Sequence, residues 1–116
     1  MMFDQNIKVF LAPGVTDLRK SINGLSILVE NEMALDLFSG YLFGFSNRTR
    51  TMIKLLYWDH NGFCLWMKRL EKDKFQWPET DTQSISISGR EFSWLLDGLS
   101  LHQKKAHQEL HYQFVS

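Results

Sequence analysis

Residues 41–70 constrain the fold most. Tyr41, Phe43 and Phe45 alternate with Leu42 and Gly44, and Thr51, Ile53, Leu55 and Tyr57 alternate with Met52, Lys54, Leu56 and Trp58. A third run extends from about Phe63 to Leu70. A period of two places successive side chains on opposite faces of a strand. The connections, Asn47-Arg48-Thr49-Arg50 and Asp59-His60-Asn61-Gly62, are too short for anything but antiparallel neighbours, since a parallel crossover needs a dozen residues or more. Asn61-Gly62 is suited to the positive φ of a tight hairpin turn. The segment therefore predicts a three-stranded antiparallel meander. Large apolar residues on both faces predict that both are covered.

The flanks supply further elements. Ile7-Lys8-Val9-Phe10-Leu11 is β-prone and ends at the turn-forming Pro13-Gly14. Thr16 or Asp17 can cap a helix in which Leu18, Ile22, Leu25, Val29 and Met33 form one apolar stripe, ending near Leu35. Gly24 inside it would allow a strand to approach closely. Residues 71–83 read as an exposed loop containing Trp77-Pro78, and Ser84-Ile85-Ser86-Ile87 as a short strand. Ser88 and Glu91 have capping-box spacing ahead of a helix with Phe92, Leu95, Leu96 and Leu99 on its apolar face. The expected fold class is α+β: one domain over residues 1–100, an antiparallel β-meander flanked by two main helices. Residues 101–116 read as a polar tail, helical or disordered.

Composition narrows the function. With 44% hydrophobic and 14% aromatic residues, the 116-residue chain has material for a core without disulfides, and its lone Cys64 fits a reducing compartment. No apolar run reaches membrane-spanning length and the N-terminus lacks a signal pattern, so a soluble cytoplasmic protein with no membrane partner is expected. Thirteen basic residues balance thirteen acidic ones, which excludes a uniformly basic DNA coater. The distribution is uneven: residues 1–43 carry −2, residues 44–74 carry +4, residues 75–100 carry −3 and the tail +1.

Catalytic motifs are lacking. There is no phosphate-cradling glycine loop, nucleophile elbow or zinc-type cysteine spacing. Asp59, at the end of an apolar strand, is the best single candidate for a metal-holding carboxylate, but Asp before His-Asn-Gly is foremost a hairpin-turn residue. A carboxylate-triad nuclease is rejected. His107 and His111 would share a helix face, yet no third ligand falls cleanly beside them. Cys64 reads as a small buried side chain. The expectation is a protein that is not an enzyme, with no cofactor and no metal.

The cations carry more information. In an antiparallel meander, Arg48, Arg50, Lys54, Lys68 and Arg69 gather at one end of the sheet. Arg19 and Lys20, in the first turns of the first helix, can extend that group. Cations near a helix N-terminus are electrostatically unfavourable, so an anionic partner would relieve them. These seven residues are the candidate nucleic-acid contacts. Trp77, beside a loop proline, and Trp94, on the second helix, are the candidate anchors for a protein partner.

The motifs together resemble a known family. Pro13-Gly14-Val15-Thr16-Asp17-Leu18-Arg19-Lys20-Ser21-Ile22-Asn23-Gly24-Leu25 is similar to its signature Pro-x-Asp-Met-Arg-Lys-x-x-x-Gly-Leu, with a longer lead-in. Phe38-Ser39-Gly40-Tyr41-Leu42-Phe43, Asn47-Arg48, Lys54-Leu55-Leu56-Tyr57-Trp58-Asp59, Gly62-Phe63-Cys64-Leu65, Lys68-Arg69-Leu70-Glu71, Phe75-Gln76-Trp77-Pro78 and Leu95-Leu96-Asp97-Gly98-Leu99 follow in the family's order. The chain thus resembles TnpB, the small accessory protein of insertion sequences of the family numbered sixty-six, and not the RNA-guided nuclease of the same name. Leu18 stands for the usual Met, Ser21-Ile22-Asn23 varies the link to Gly24, and Gly44 replaces a common branched residue. The resemblance implies a non-enzymatic accessory factor of transposition, with the cognate transposase and other proteins of the element as partners. DNA contact through the basic edge is the leading expectation. A protein–protein adaptor or oligomeric scaffold without direct DNA binding is the alternative.

Overall fold

The computed structural model describes residues 4–98 and the backbone of residues 113–115. In chain order the elements are β1 (Lys8–Leu11), α1 (Ile22–Ile27), a π turn (Leu28–Glu32), β2 (Leu42–Ser46), β3 (Met52–Asp59), β4 (Gly62–Arg69), β5 (Ser84–Ser88), α2 (Gly89–Leu96) and β6 (Gln113–Val115). They form one sheet in the order β4-β3-β2-β1-β5-β6. The fold is α+β, with strands mostly antiparallel.

The expected meander is present. Phe43 pairs with Leu56, Phe45 with Lys54, and β3 runs against β4 from Met52↔Arg69 to Asp59↔Gly62 without a break. Its tight turn differs from expectation: His60 takes the positive φ, at 55°, rather than Asn61 or Gly62. The arrangement beyond the meander was not anticipated. β1 lies parallel to β2, joined by a crossover through α1, and antiparallel to β5. Within the segment expected to be a polar tail, Gln113–Val115 adds a strand beside β5, Ser84 pairing with Val115.

Both sheet faces are covered, as the apolar alternation requires. On one face Phe10, Phe43, Phe45 and Leu56 pack against Leu18, Leu25, Val29, Met33 and Leu37 of the α1 region. On the other, Val9, Leu11, Ile53, Leu55, Ile85 and Ile87 pack against Phe92 and Leu95 of α2. Phe75 and Trp77 join this second cluster, 2% and 6% exposed. Residues 71–83 are thus not a wholly exposed loop; two of their aromatics are core. The Ser88–Glu91 capping box forms as its spacing predicts.

The first helix starts later than its periodicity suggests. Residues 17–20 make a separate turn, because the Asp17 carboxylate accepts from the backbone and side chain of Arg19 instead of capping a helix. Ser21 is the N-cap, with no side-chain hydrogen bond. The last turn is widened: Met33 N–H donates to the Leu28 carbonyl at 2.9 Å, and Ala34 then takes a φ of 55° that ends the helix. Gly24 is approached by the Lys20 side chain, not by a strand; a Cβ at Gly24 would lie 3.1 Å from Lys20 Cβ.

Candidate functional site

Antiparallel register brings the C-terminal ends of β2 and β4 and the start of β3 together, so Arg48, Arg50, Lys54, Lys68 and Arg69 lie toward one end of the sheet. The sheet then divides them between its faces. Lys54 shares the α1 face with Met52 and Leu56, and its ammonium donates to the carbonyl of Leu18 at 2.6 Å. Lys68 sits opposite Ile53 on the α2 face and donates to the Leu96 carbonyl at 3.3 Å, at the C-terminal end of α2. A cation there complements the helix dipole.

On the α1 side an open cleft of about 700 Å³ is lined by Val15, Thr16, Asp17, Leu18, Arg19, Asn47, Arg48 and Met52. Arg19 and Arg48 reach it from different segments. Arg69 does not line the cleft but lies opposite one of its lining residues, Met52, in the β3–β4 register. Lys20, contrary to the sequence expectation, is not in the first helical turn, nor is Arg19; both precede α1.

The arginines differ in their partners. Arg19, with its side chain 91% exposed, forms a forked pair with Asp17 at 2.8 Å. Its guanidinium and backbone N–H hold the Asp17 carboxyl well below the usual carboxylate range, and Asp17 in turn raises the Arg19 pKa. Arg69 pairs with Glu71 at 2.9 Å. Arg50 is withdrawn into the structure: at φ 62° it donates to the Gly14 carbonyl at 2.7 Å and pairs with Glu79. Only 13% of its side chain is exposed, so Arg50 braces loops rather than facing solvent. Arg48 makes no ion pair among the described residues.

Asn47, which the sequence reading treated only as a turn residue, builds the rim on which Arg48 stands. Its carbonyl oxygen accepts from the N–H groups of Thr51 and Met52 at 3.0 and 3.1 Å, and its amide nitrogen donates to the hydroxyls of Thr49 and Thr51. The Asn-x-Thr-x-Thr spacing was the available signal for this network. Val15 and Met52 supply the cleft's apolar surface and had no distinguishing signal.

Trp77 does not fit the role of an exposed protein anchor, because it is buried and its indole N–H is bonded to Ala12. Trp94 is half-buried, with the Arg90 guanidinium 5.5 Å from its ring centroid. Asp59 sits at the β3–β4 hairpin, as the turn reading expects. Cys64 is half-buried on β4 rather than fully buried. No group of three or more His, Cys, Asp or Glu residues able to hold a metal occurs among the described residues, and His107 and His111 lie outside them. No helix among the described residues is long and apolar enough to cross a membrane.

Comparison with known proteins gives a consistent result. Residues 7–106 match a family described as IS66 Orf2 like protein. The chain is 36% identical over 95 residues to the uncharacterized protein y4hO of Sinorhizobium fredii (strain NBRC 101917 / NGR234), covering 82% of this chain and 83% of that protein. It is 32% identical over 95 residues to the uncharacterized protein y4jC of the same strain, covering 82% and 81%. No solved structure matches it.

Proposed function

The chain belongs to the IS66 Orf2-like family, and from that premise we propose that it is a non-enzymatic accessory protein of insertion-sequence transposition that contacts DNA through the α1-side basic end. Family membership implies the accessory role. The observation that supports DNA contact is the meeting of Arg19 and Arg48 on one cleft, with Arg69 opposite its lining residue Met52 in register. Guanidinium groups at such a rim take phosphate oxygens in pairs, and the apolar surface of Val15 and Met52 between them accommodates a sugar or base edge. Asp17, Glu71 and the acidic flanks limit affinity, so the cognate transposase is the partner that would hold the protein at its site.

The test is DNA binding measured by fluorescence anisotropy across a salt series. Each phosphate contact contributes about −0.9 to the slope of log affinity against log salt. Arg19→Ala with Arg48→Ala should therefore flatten the slope by about two. Binding whose slope ignores both substitutions rejects the DNA reading.

The second reading, a protein–protein adaptor, draws on the half-buried Trp94 of α2. Co-purification with the transposase that survives high salt and is lost in Trp94→Ala favours it.

A further inference from the structure

β4 is an edge strand, and among the described residues β3 is the only strand paired with it. Its hydrogen-bonding phase can be fixed. Leu70 N–H donates inward to the Thr51 carbonyl, and the β3–β4 register is unbroken from Gly62 to Arg69. Strand alternation then turns the backbone groups of Phe63, Leu65, Met67 and Arg69 outward. Natural proteins protect a free edge with charge, proline, a bulge or a cover. Over residues 62–67 this strand has no charge, proline or bulge: Gly-Phe-Cys-Leu-Trp-Met is uncharged and in unbroken register. The strand is eight residues long, and Met67 is 53% exposed.

We propose that β4 is the interface of a two-fold homodimer, pairing antiparallel with β4 of a second copy about an axis through Leu65. Three observations select a second copy. First, the outward groups match themselves: with Leu65 facing Leu65, Phe63 faces Met67 of the second copy in a hydrogen-bonded pair. About six backbone bonds then form across the axis. Second, the side chains are complementary. The small Cys64 faces Trp66, and the Met67 thioether meets the Phe63 ring, a favourable sulfur–aromatic contact. Phe38, 56% exposed and packed 5.5 Å from Phe63 and 5.1 Å from Trp58, extends that apolar seat. Third, charge differs between the two ends of this edge: Lys68 and Arg69 end β4, whereas at the hairpin Asp59 ends β3 opposite Gly62. Antiparallel pairing sets Lys68 opposite Gly62 of the second copy, one strand away from that copy's Asp59. A parallel pairing would oppose like charges. The two-fold also consumes both β4 edges, so association closes at two copies. It leaves one Arg19–Arg48 cleft on each protomer.

Sedimentation equilibrium of the full chain at micromolar concentration tests this. The expected mass is twice the 13.7 kDa of one chain. Met67→Pro removes an outward N–H while sparing the bonds to β3, and Met67→Asp places a carboxylate against the aromatic seat. Each should weaken dimerisation by about tenfold or more while retaining wild-type circular dichroism. Should the proline variant fail to fold, the aspartate variant decides. Leu65→Cys on a Cys64→Ser background should oxidise to a covalent dimer through a single thiol at the axis. A monomeric wild-type chain, or a dimer unchanged in the folded Met67 variants, overturns the proposal.

Discussion

The indole N–H of Trp77 donates to the carbonyl oxygen of Ala12 at 3.0 Å. The two residues lie in separate loops, and the bond fixes the strap of residues 71–83 across the exit of β1. The ring meanwhile fills the space over Gly44, where a Cβ would stand 3.4 Å from Trp77 Cη2 and 2.8 Å from Leu11 Cδ2. Gly44 therefore serves close packing: its missing side chain is the seat that Leu11 and Trp77 occupy.

Trp77→Ala should lower unfolding free energy by about 3–5 kcal/mol, because it removes a buried ring and leaves a cavity. Trp77→Phe should cost less, about 1–3 kcal/mol, chiefly for the lost bond to Ala12. Urea unfolding followed by circular dichroism checks both. Wild-type stability in Trp77→Ala would show that the strap, not the ring, holds this region.

Local pattern carried the meander and the capping box, since both depend on residues within a few positions of one another. It also carried which strand ends meet, because short hairpins fix register. It did not carry the division of Lys54 from Lys68 by the sheet or the inward turn of Arg50. The parallel pairing of β1 with β2 was not legible. It depends on contacts across a crossover of thirty residues, and neither strand's alternation names its neighbour. The burial of Phe75 and Trp77 escaped for the same reason: a Trp-Pro loop reads identically whether its ring faces solvent or the far side of a sheet. The late start of α1 had a local cause that apolar periodicity hides, the competition of Arg19 for the Asp17 carboxylate.

Arg50 separates structural cations from ligand-binding ones. Arg50→Ala should destabilise the fold by about 1–3 kcal/mol, through loss of the bond to Gly14 and the pair with Glu79. Arg50→Gly should cost less than Arg50→Ala, because glycine adopts the φ of 62° without strain. Neither should change the salt slope of DNA binding. Thermal melts paired with anisotropy measure both quantities on the same samples.

Asp17 holds the Arg19 guanidinium that the proposed DNA contact requires. Asp17→Asn should raise DNA affinity by about three- to tenfold at low salt, since one carboxylate no longer competes with phosphate. The converse variant reports through protonation. In Arg19→Ala the Asp17 carboxyl should titrate closer to the ordinary aspartate range, because its principal hydrogen-bond donor is gone. Side-chain carbon chemical shifts followed against pH detect that movement.

Tyr57 is expected to contribute to a loss of stability at alkaline pH. Burial raises its phenol pKa above the ordinary 10.0, and Cys64, its partner across β3–β4, adds to the shift, with a smaller contribution from Asp59. A pKa raised in the folded state means that the unfolded chain loses the phenol proton first. The contribution is therefore complete below pH 10.0 and declines as pH rises through the folded-state value. Tyr57→Phe should flatten that alkaline decline relative to wild type, and Cys64→Ser should reduce it in part. Urea midpoints measured from neutral pH to pH 11 or so, with the lysines common to all three proteins, isolate the effect. Parallel decline in wild type and Tyr57→Phe would place the alkaline sensitivity in another group.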